Sequence, residues 1–340
     1  MSEVFYIFHY EVGNFVYNLS VKSMKNLRIV YLGTPDFSAE LLRYLIAEDY
    51  NIIAVVTQGD SPVGRKRVLT PSPVKSLALA HNIPVFTPFR IRREYDFLVE
   101  LKPDLILTFA YGQIVPKAVL DAPKYGCLNF HGSILPKYRG ASPIQMALIN
   151  AERETGVSLM EMVEAMDAGR VFGIEKFKIE PSDNFATIAS KMVKASATLI
   201  KEVLPAVISG ENKGTPQDES QVTFAPLLKA KDEWIDLEND DVKNVLGRIQ
   251  AFTPLTGATL SYDSLPLKIY EARLENNRVE RAIGELFTND KRLLLQVKGG
   301  QIEVLQLQKS GKKIVDAKSF INGEQSKLPT LLKGYTDAEV

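Results

Sequence analysis

The sequence predicts an α/β domain with a doubly wound, mostly parallel Rossmann-like sheet, followed by a smaller OB-like β-barrel. Two patterns support this prediction. Before residue 209, short apolar runs alternate with helical segments, which is typical of a doubly wound sheet. Later in the chain, five short strand-like runs are separated by turn residues, which is typical of a small barrel. A length of 340 residues also suits about two domains.

The elements of the first domain follow from apolar runs and from helix-start signals. Ser72 and Ser142 each precede a proline, and a serine cap with proline in the first turn marks the start of a helix. In chain order we predict a strand at 27–32, a helix at 36–48, a strand at 51–57, a polar loop at 60–69, a helix from 73, strands at 85–86, 104–109 and 126–130, a helix at 143–150 and a long closing helix at 184–208.

The second domain begins after a segment without periodicity. Residues 209–224 are rich in Gly, Pro, Asn and Glu, so we predict a linker at 209–229. A helix at 240–252 and strands at 258–262, 267–273, 282–287, 292–297 and 301–307 follow. The predicted domain limits are therefore 24–208 and 230–340, and residues 1–23 are expected to be an extension outside the fold.

Composition excludes several classes of protein. Acidic and basic residues number 41 each, so binding to a polyanion depends on local patches rather than on net charge. A single cysteine, Cys127, excludes a disulfide framework and a multi-cysteine zinc site and suits a reducing compartment, so we expect a cytoplasmic protein. We expect Cys127 to be a buried small side chain rather than a nucleophile. No apolar run reaches the ~18–20 residues that span a bilayer, and residues 1–23 lack the features of a signal peptide.

The pattern most indicative of chemistry is the run CLNFHGSILP at residues 127–136. Asn129 and His131 stand two residues apart in a predicted strand, so both side chains point to the same face. An amide donor beside a titratable ring suits acyl transfer, because the amide can stabilise an oxyanion while the ring moves protons. A histidine can also be purely structural, but this pairing favours a functional role.

Two further patterns are less specific. Asp167 lies in the tetrapeptide MDAG at 166–169, where a carboxylate could orient His131 and collect a proton, although such sequences are common in turns. Gly33 ends the first strand, but the G-x-G-x-x-G pattern and the acidic residue ~20 positions further on are both absent. The sequence therefore gives little support to dinucleotide chemistry.

Basic residues form two runs that could meet a phosphate backbone, although a solvated surface is the commoner role for each. One run lies in the predicted loop and the other near the end of the second domain: Arg65, Lys66 and Arg67; Lys309, Lys312 and Lys313. Lys137 and Arg139 follow the motif at 127–136, so we expect them to lie closer to a substrate.

Seven segments, in this order and spacing, carry a family resemblance: GTPDF at 33–37, PSPVK at 71–75, AYG at 110–112, NFHGSILP at 129–136, RGASPIQ at 139–145, MDAG at 166–169 and GKK at 311–313. Each segment is modestly specific, and together they are strongly indicative. From residue 27 to about residue 323, the chain resembles the methionyl-tRNA formyltransferase family.

The resemblance implies a formyltransferase fold and transfer of the formyl group of 10-formyltetrahydrofolate to the α-amine of methionine on initiator tRNA. Acyl transfer needs donors to the formyl oxygen, which Asn129 and His131 can supply, while Asp167 can orient the ring and receive the proton of the amine. The resemblance implies these three residues as the catalytic set. It also implies a folate site and tRNA contacts, the latter partly in an OB-like tRNA-binding domain: Ser133, Ile134, Leu135 and Pro136 for folate; Arg65, Lys66, Arg67, Lys309, Lys312 and Lys313 for tRNA. Folate is then a co-substrate, and we expect no metal, no membrane association and no obligate protein partner.

Two other functions stay open at this stage. A formyltransferase acting on a nucleotide-linked amino sugar could share the catalytic residues, although a small substrate does not need a basic loop around Arg65. A non-catalytic RNA-binding protein on the same scaffold is the alternative of another class. The intact set of Asn129, His131 and Asp167 argues against that alternative.

Overall fold

The computed structural model describes residues 24–64 and 66–334. Among these residues the chain forms two compact units. The first comprises everything up to Arg139 together with Gly156–Phe177 and Ser190–Phe224, and the second comprises Gly140–Thr155, Lys178–Ala189 and everything from Ala225 on. Each unit therefore draws on more than one stretch of chain. The domain limits predicted from the sequence stay a prediction, and the expected extension at 1–23 lies outside the described residues.

A seven-stranded sheet forms the centre of the first unit, in the order β10-β9-β7-β6-β1-β2-β5. The strands up to residue 178 are β1 (Ile29–Gly33), β2 (Ile52–Val56), β3 (Ser61–Val63), β4 (Val68–Thr70), β5 (Val85–Phe86), β6 (Leu105–Phe109), β7 (Cys127–His131), β8 (Arg139–Gly140), β9 (Glu154–Glu161) and β10 (Val171–Lys178). Of these, β3, β4 and β8 lie outside the seven-stranded sheet. β1 pairs in parallel with both β2 and β6, and β6 pairs in parallel with β7. The strand order therefore reverses between β1 and β6, which confirms the doubly wound sheet. Ligands of such sheets bind beyond the carboxyl ends of the strands at the reversal.

The helices up to residue 208 are α1 (Asp36–Ala47), α2 (Pro73–Ala80), α3 (Asp96–Glu100), α4 (Lys117–Leu120), α5 (Pro143–Ile149), α6 (Phe185–Glu202) and α7 (Leu204–Ile208). Of these, α5 belongs to the second unit. Ser72 caps α2 as predicted, because its Oγ accepts a hydrogen bond from Lys75 N at 3.0 Å. The central strands β1 and β6 are buried along their whole length. Uninterrupted apolar strands of this kind are typical of a parallel sheet that is covered on both faces.

Two helix predictions were wrong in detail. Ser142 does not cap α5, since its Oγ accepts a hydrogen bond from Leu228 N at 3.3 Å instead. The predicted helix at 184–208 is interrupted at Val203, between α6 and α7. Pro205 explains the interruption, because proline lacks the backbone N–H of a continuous helix and its ring clashes with the preceding turn.

The predicted polar loop at 60–69 is instead a two-stranded hairpin, which we call the basic hairpin and define as residues 61–70. β3 and β4 pair antiparallel, with Val63 opposite Val68, and all of their residues are exposed. Their β-branched and apolar residues favour an extended backbone. The Pro, Gly and basic residues among them obscure this short strand pattern in the sequence. Arg65 lies outside the described residues.

An antiparallel, nearly barrel-shaped sheet forms the core of the second unit, which confirms the OB-like prediction. The elements after residue 208 are β11 (Phe224–Ala225), α8 (Val242–Phe252), β12 (Ala258–Tyr262), β13 (Leu265–Asn276), β14 (Glu285–Asn289), β15 (Arg292–Val297), β16 (Gly300–Lys309), β17 (Val315–Asp316), α9 (Ala317–Glu324), β18 (Thr330–Leu331) and three 3₁₀ turns, Glu219–Gln221, Ala230–Glu233 and Gln325–Lys327. The strand order is β12-β13-β16-β15-β14-β18, with β17 beside β16. Backbone hydrogen bonds between Ser261 and Lys333, at 2.8 and 3.1 Å, join the two ends of this order.

Helix α8 packs closely on α5 within the second unit. A Cβ atom at Gly247 would stand 2.0 Å from the backbone oxygen of Leu148, so only glycine permits this approach. The side chain of Asn244 donates to the backbone oxygen of Ile149 at 3.0 Å and fixes the register of the two helices. Over residues 24–64 and 66–334, none of the helices has the length and apolar character needed to cross a membrane.

Candidate active site

Asn129 and His131 lie at the carboxyl end of β7, within the sheet. Thr108 of β6 stands opposite Asn129, and Ser158 of β9 stands opposite His131. The carboxamide of Asn129 is half-buried and makes no hydrogen bond with any residue that the structure describes. The buried hydroxyl of Thr108 is likewise without a partner among those residues. This edge of the sheet therefore offers unused polar groups beside the histidine.

His131 is buried between two oxygen atoms. Its Nε2 lies 2.9 Å from the backbone oxygen of Tyr138. A carbonyl oxygen only accepts, so Nε2 must carry the hydrogen. The other nitrogen, Nδ1, lies 3.6 Å from Oδ2 of Asp167, which is an ion-pair distance rather than a hydrogen bond. In the neutral ring, Nδ1 thus presents a lone pair beside a carboxylate.

The carboxylate of Asp167 comes from a tight turn between β9 and β10. Asp167 itself has a φ of +52°, in the left-handed region that Asp tolerates better than most residues. Gly169 is required at its place, since a Cβ there would stand 2.0 Å from the backbone oxygen of Glu161. The structure therefore brings together all three predicted catalytic residues, and their roles stay a prediction.

The predicted folate segment divides into two pairs. Ser133 is fully buried, and its Oγ donates to the backbone oxygen of Lys137 at 2.6 Å. Leu135 is also buried, and its N–H donates to Ser158 Oγ at 3.1 Å. Ile134 and Pro136 are half-buried and present side-chain surface. Ser133 and Leu135 therefore shape the segment through their own contacts, and the folate-binding role of all four residues stays a prediction.

The predicted tRNA-binding residues differ in how free their charges are. Lys66 and Arg67 of the basic hairpin are exposed, as are Lys312 and Lys313 after β16. Lys309 is different, because its ammonium group is paired with the carboxylate of Glu324, which also accepts from Tyr262 Oη at 2.6 Å. Its positive charge is therefore largely offset within the barrel.

Sequence reasoning missed a polar cluster behind the site. Arg139 was expected near a substrate, but its side chain is buried and its Nε donates to Gln217 Oε1 at 3.0 Å. Gln217 Nε2 in turn donates to the backbone oxygens of Asp167 and Gly169, both at 2.8 Å. Arg139 also forms a bidentate pair with Glu219 and thereby lowers the pKa of that carboxyl group. No periodicity or motif in the predicted linker indicates these contacts.

Cys127 is buried at the start of β7, as expected. Its thiol donates to the backbone oxygen of Val119 at 3.5 Å, and burial raises the pKa of the thiol to about 12. A thiol of this kind stays protonated at neutral pH and is a poor nucleophile. Within the described part of the chain, no cluster of three or more His, Cys, Asp or Glu side chains is arranged to hold a metal ion.

Comparison with known proteins identifies two family regions. Residues 27–204 match the formyl transferase family, and residues 227–325 match the formyl transferase C-terminal domain. Methionyl-tRNA formyltransferases of Staphylococcus aureus strains MW2 and JH1 are 40% identical to the chain over 305 residues, which is 88% of this chain and 97% of theirs.

Solved structures share the fold. HypX from Aquifex aeolicus, in complex with tetrahydrofolic acid, superposes with a TM-score of 0.61 at 20% identity, over 92% of this chain and 51% of that one. The sugar 3N-formyl transferase WlaRD superposes with a TM-score of 0.60 at 18% identity, over 84% of this chain and 99% of that one. At such low identity, these likenesses describe the fold alone.

Proposed function

We propose that this chain, which belongs to the methionyl-tRNA formyltransferase family, transfers the formyl group of 10-formyltetrahydrofolate to the α-amine of methionyl-initiator-tRNA. The product is N-formylmethionyl-tRNA, used to start translation. The observation that carries the proposal is the meeting of Asn129, His131 and Asp167 at the end of β7, where Nδ1 of His131 lies 3.6 Å from the carboxylate. A donor, a base and an anion at one strand end suit acyl transfer to an amine.

The first step forms a tetrahedral intermediate. The neutral α-amine attacks the formyl carbon, and the unused carboxamide of Asn129 donates to the oxygen as negative charge develops on it. The bond from Nε2 to Tyr138 fixes the tautomer, so Nδ1 of His131 has the lone pair that takes the proton from the amine. Asp167 stabilises the imidazolium that results. His131 therefore acts as a base in this mechanism, whereas the sequence alone favours a role as donor to the formyl oxygen.

The second step releases tetrahydrofolate. The carbonyl of the new amide reforms, and the bond between the formyl carbon and N10 breaks. N10 takes the proton that Nδ1 of His131 received from the amine, so atoms and charge balance over the cycle. One proton thus moves from the amine through His131 to the leaving nitrogen, and this chemistry needs no external oxidant or reductant.

The substrates are recognised by different features. Ile134 and Pro136 offer half-buried surface beside the catalytic residues for the folate. The exposed charges of Lys66 and Arg67, together with Arg65, contact the acceptor end of the tRNA, and Lys312 and Lys313 add phosphate contacts. The apolar residues Val63, Val68 and Leu69 are exposed on the same hairpin. The reaction belongs in the cytoplasm, where initiator tRNA is used.

A direct test offers the purified protein 10-formyltetrahydrofolate with either of two acceptors, methionyl-initiator-tRNA or a nucleotide-linked amino sugar. We expect formyl-methionine on the tRNA and no comparable product on the sugar. Protein with His131→Ala is the control for enzyme-independent transfer. Faster formylation of the sugar would replace the proposal by the sugar-formyltransferase function, and binding of tRNA without any transfer would support a non-catalytic RNA-binding protein.

A further inference from the structure

We infer that Gln217 and Arg139 are positioning residues of the transfer reaction, which hold Asp167 and His131 in register with each other. This inference rests on the proposed function of the site. Neither residue touches the reacting atoms. They act through backbone groups that determine where the His131 ring and the Asp167 carboxylate lie.

Gln217 holds the turn that carries the carboxylate. Both of its donor contacts, at 2.8 Å, end on this turn, one on the backbone oxygen of Asp167 and one on that of Gly169. Asp167 has a φ of +52°, a conformation that needs support from its surroundings. Removing these two hydrogen bonds frees the turn to relax, and the carboxylate then changes its distance from Nδ1.

Arg139 fixes the orientation of Gln217. Because Nε of Arg139 donates to Oε1 of Gln217 at 3.0 Å, the amide nitrogen of Gln217 must face the turn. The remaining guanidinium nitrogens donate to the carboxylate of Glu219 at 2.8 and 3.2 Å. A bidentate arginine that is only 5% exposed tolerates little rotation. The guanidinium therefore sets which end of the carboxamide supports Asp167.

The same polar segment also holds the partner of the histidine ring. Thr223 accepts at its backbone oxygen from Arg139 N and at Oγ1 from Tyr138 N, both at 2.9 Å. Tyr138 has a φ of +62°, and its backbone oxygen accepts from Nε2 of His131. Gln217 and Thr223 thus hold the carboxylate and the ring, and so they set the 3.6 Å separation between the two.

The substitution Gln217→Glu tests this inference without removing the side chain. A glutamate has the same size, and one of its carboxylate oxygens still accepts from Arg139. Its other oxygen, however, faces the backbone oxygens of Asp167 and Gly169, to which Nε2 of Gln217 donates in the wild-type protein. The substitution therefore keeps the contact with Arg139 and removes the two hydrogen bonds that support the turn at Asp167. Gln221→Glu is the matched control, because Gln221 is exposed and its side chain makes one long contact, 3.5 Å to Ser220 Oγ.

We expect Gln217→Glu to lower kcat about 10- to 100-fold, as misplacement of a reacting group does, with KM for both substrates and the melting temperature near wild-type values. Gln221→Glu should match wild type. An NMR measurement that does not depend on activity is the ¹⁵N spectrum of histidine-labelled protein. The ring signals of His131 should shift in Gln217→Glu and should keep their wild-type positions in Gln221→Glu.

The possible outcomes are distinct. Wild-type kcat with an unchanged His131 spectrum in Gln217→Glu overturns the inference. A loss of kcat that only parallels a loss of melting temperature also overturns it, since the role is then purely structural. A wild-type protein that fails to formylate methionyl-tRNA overturns the proposed function instead, and the His131 spectrum still decides whether Gln217 positions the pair.

Discussion

His131 has an oxygen atom beside each ring nitrogen, the backbone oxygen of Tyr138 at Nε2 and a carboxylate oxygen of Asp167 at Nδ1. The first contact is short and fixed, at 2.9 Å, while the second is longer, at 3.6 Å. The ring is thus anchored at one nitrogen, and the other nitrogen stands beside the carboxylate without a hydrogen bond to it. Asn129, two residues earlier, has a carboxamide without a hydrogen-bond partner among the described residues. In the proposed mechanism these groups act mainly in the transition state.

Replacing Asn129, His131 or Asp167 by Ala should therefore each lower turnover at least about 100-fold while leaving tRNA binding nearly intact. Steady-state kinetics and a filter-binding assay with methionyl-tRNA would measure the two effects separately. Cys127→Ala, on the same strand, is the matched control and should keep most activity, because its thiol is buried with a pKa near 12. Normal turnover of His131→Ala would remove the histidine from the mechanism.

At this scale the sequence reveals only what local spacing encodes. Asn129 and His131 could be found because two residues at a spacing of two share a strand face. Asp167 needed the family resemblance, since its turn is not distinctive. Arg139 and Gln217 stand 78 residues apart, and their pairing depends on how the chain returns after α7. No local pattern encodes such a contact.

The basic hairpin is the element whose strands the sequence did not predict. Its strands are three residues each, and Pro, Gly and charged residues interrupt the apolar positions. The regular strands and the barrel were found more readily, because their longer apolar runs dominate any window of sequence. A short exposed hairpin gains little from burial, so its sequence carries little hydrophobic signal.

The hairpin prediction concerns salt. The double substitution Lys66→Ala with Arg67→Ala should raise KM for methionyl-tRNA and leave KM for folate unchanged. It should also flatten the slope of log K against log salt by about 0.7–0.9 for each phosphate that the protein no longer neutralises. Titrations of tRNA binding at several salt concentrations would measure this slope. Arg43→Ala with Lys117→Ala removes the same charge from exposed helix positions of the same unit and should change neither quantity. An unchanged slope in the hairpin variant would remove the hairpin from the tRNA interface.

The α5–α8 contact gives a prediction about stability. Gly247→Ala should destabilise the protein by about 1–3 kcal/mol, as overpacking does, because its Cβ would meet the backbone oxygen of Leu148 at 2.0 Å. Denaturant unfolding would measure the change. Gly323→Ala in α9 is the control. Among the described residues no atom lies within 4 Å of its Cβ, so the substitution should be neutral or stabilising by up to about 1 kcal/mol. Equal effects at both sites would contradict the proposed close packing.

On the scale of the whole molecule, the described fold begins at a buried residue. Met24 is 2% exposed, and its backbone oxygen accepts from Leu27 N at 3.1 Å, just before β1. We predict that a chain starting at Met24 keeps the melting temperature and formylation rate of the full chain. Thermal unfolding and the tRNA assay on both chains would test this. A large loss of either would place residues 1–23 within the working fold.

The paired backbones of Ser261 and Lys333 have a consequence for how copies of this protein meet one another. An unpaired strand border offers free N–H and C=O groups to any neighbouring chain, and natural sheets must protect such borders from aggregation. Here a two-residue strand, β18, and one further bridge occupy the gap between β12 and β14. A short stretch of chain thus covers part of both borders, at Glu285 and Leu286 of β14 and at Ser261 of β12. In the described part of this unit, β18 and the bridge at Lys333 therefore take up strand-edge groups that another copy could otherwise pair with.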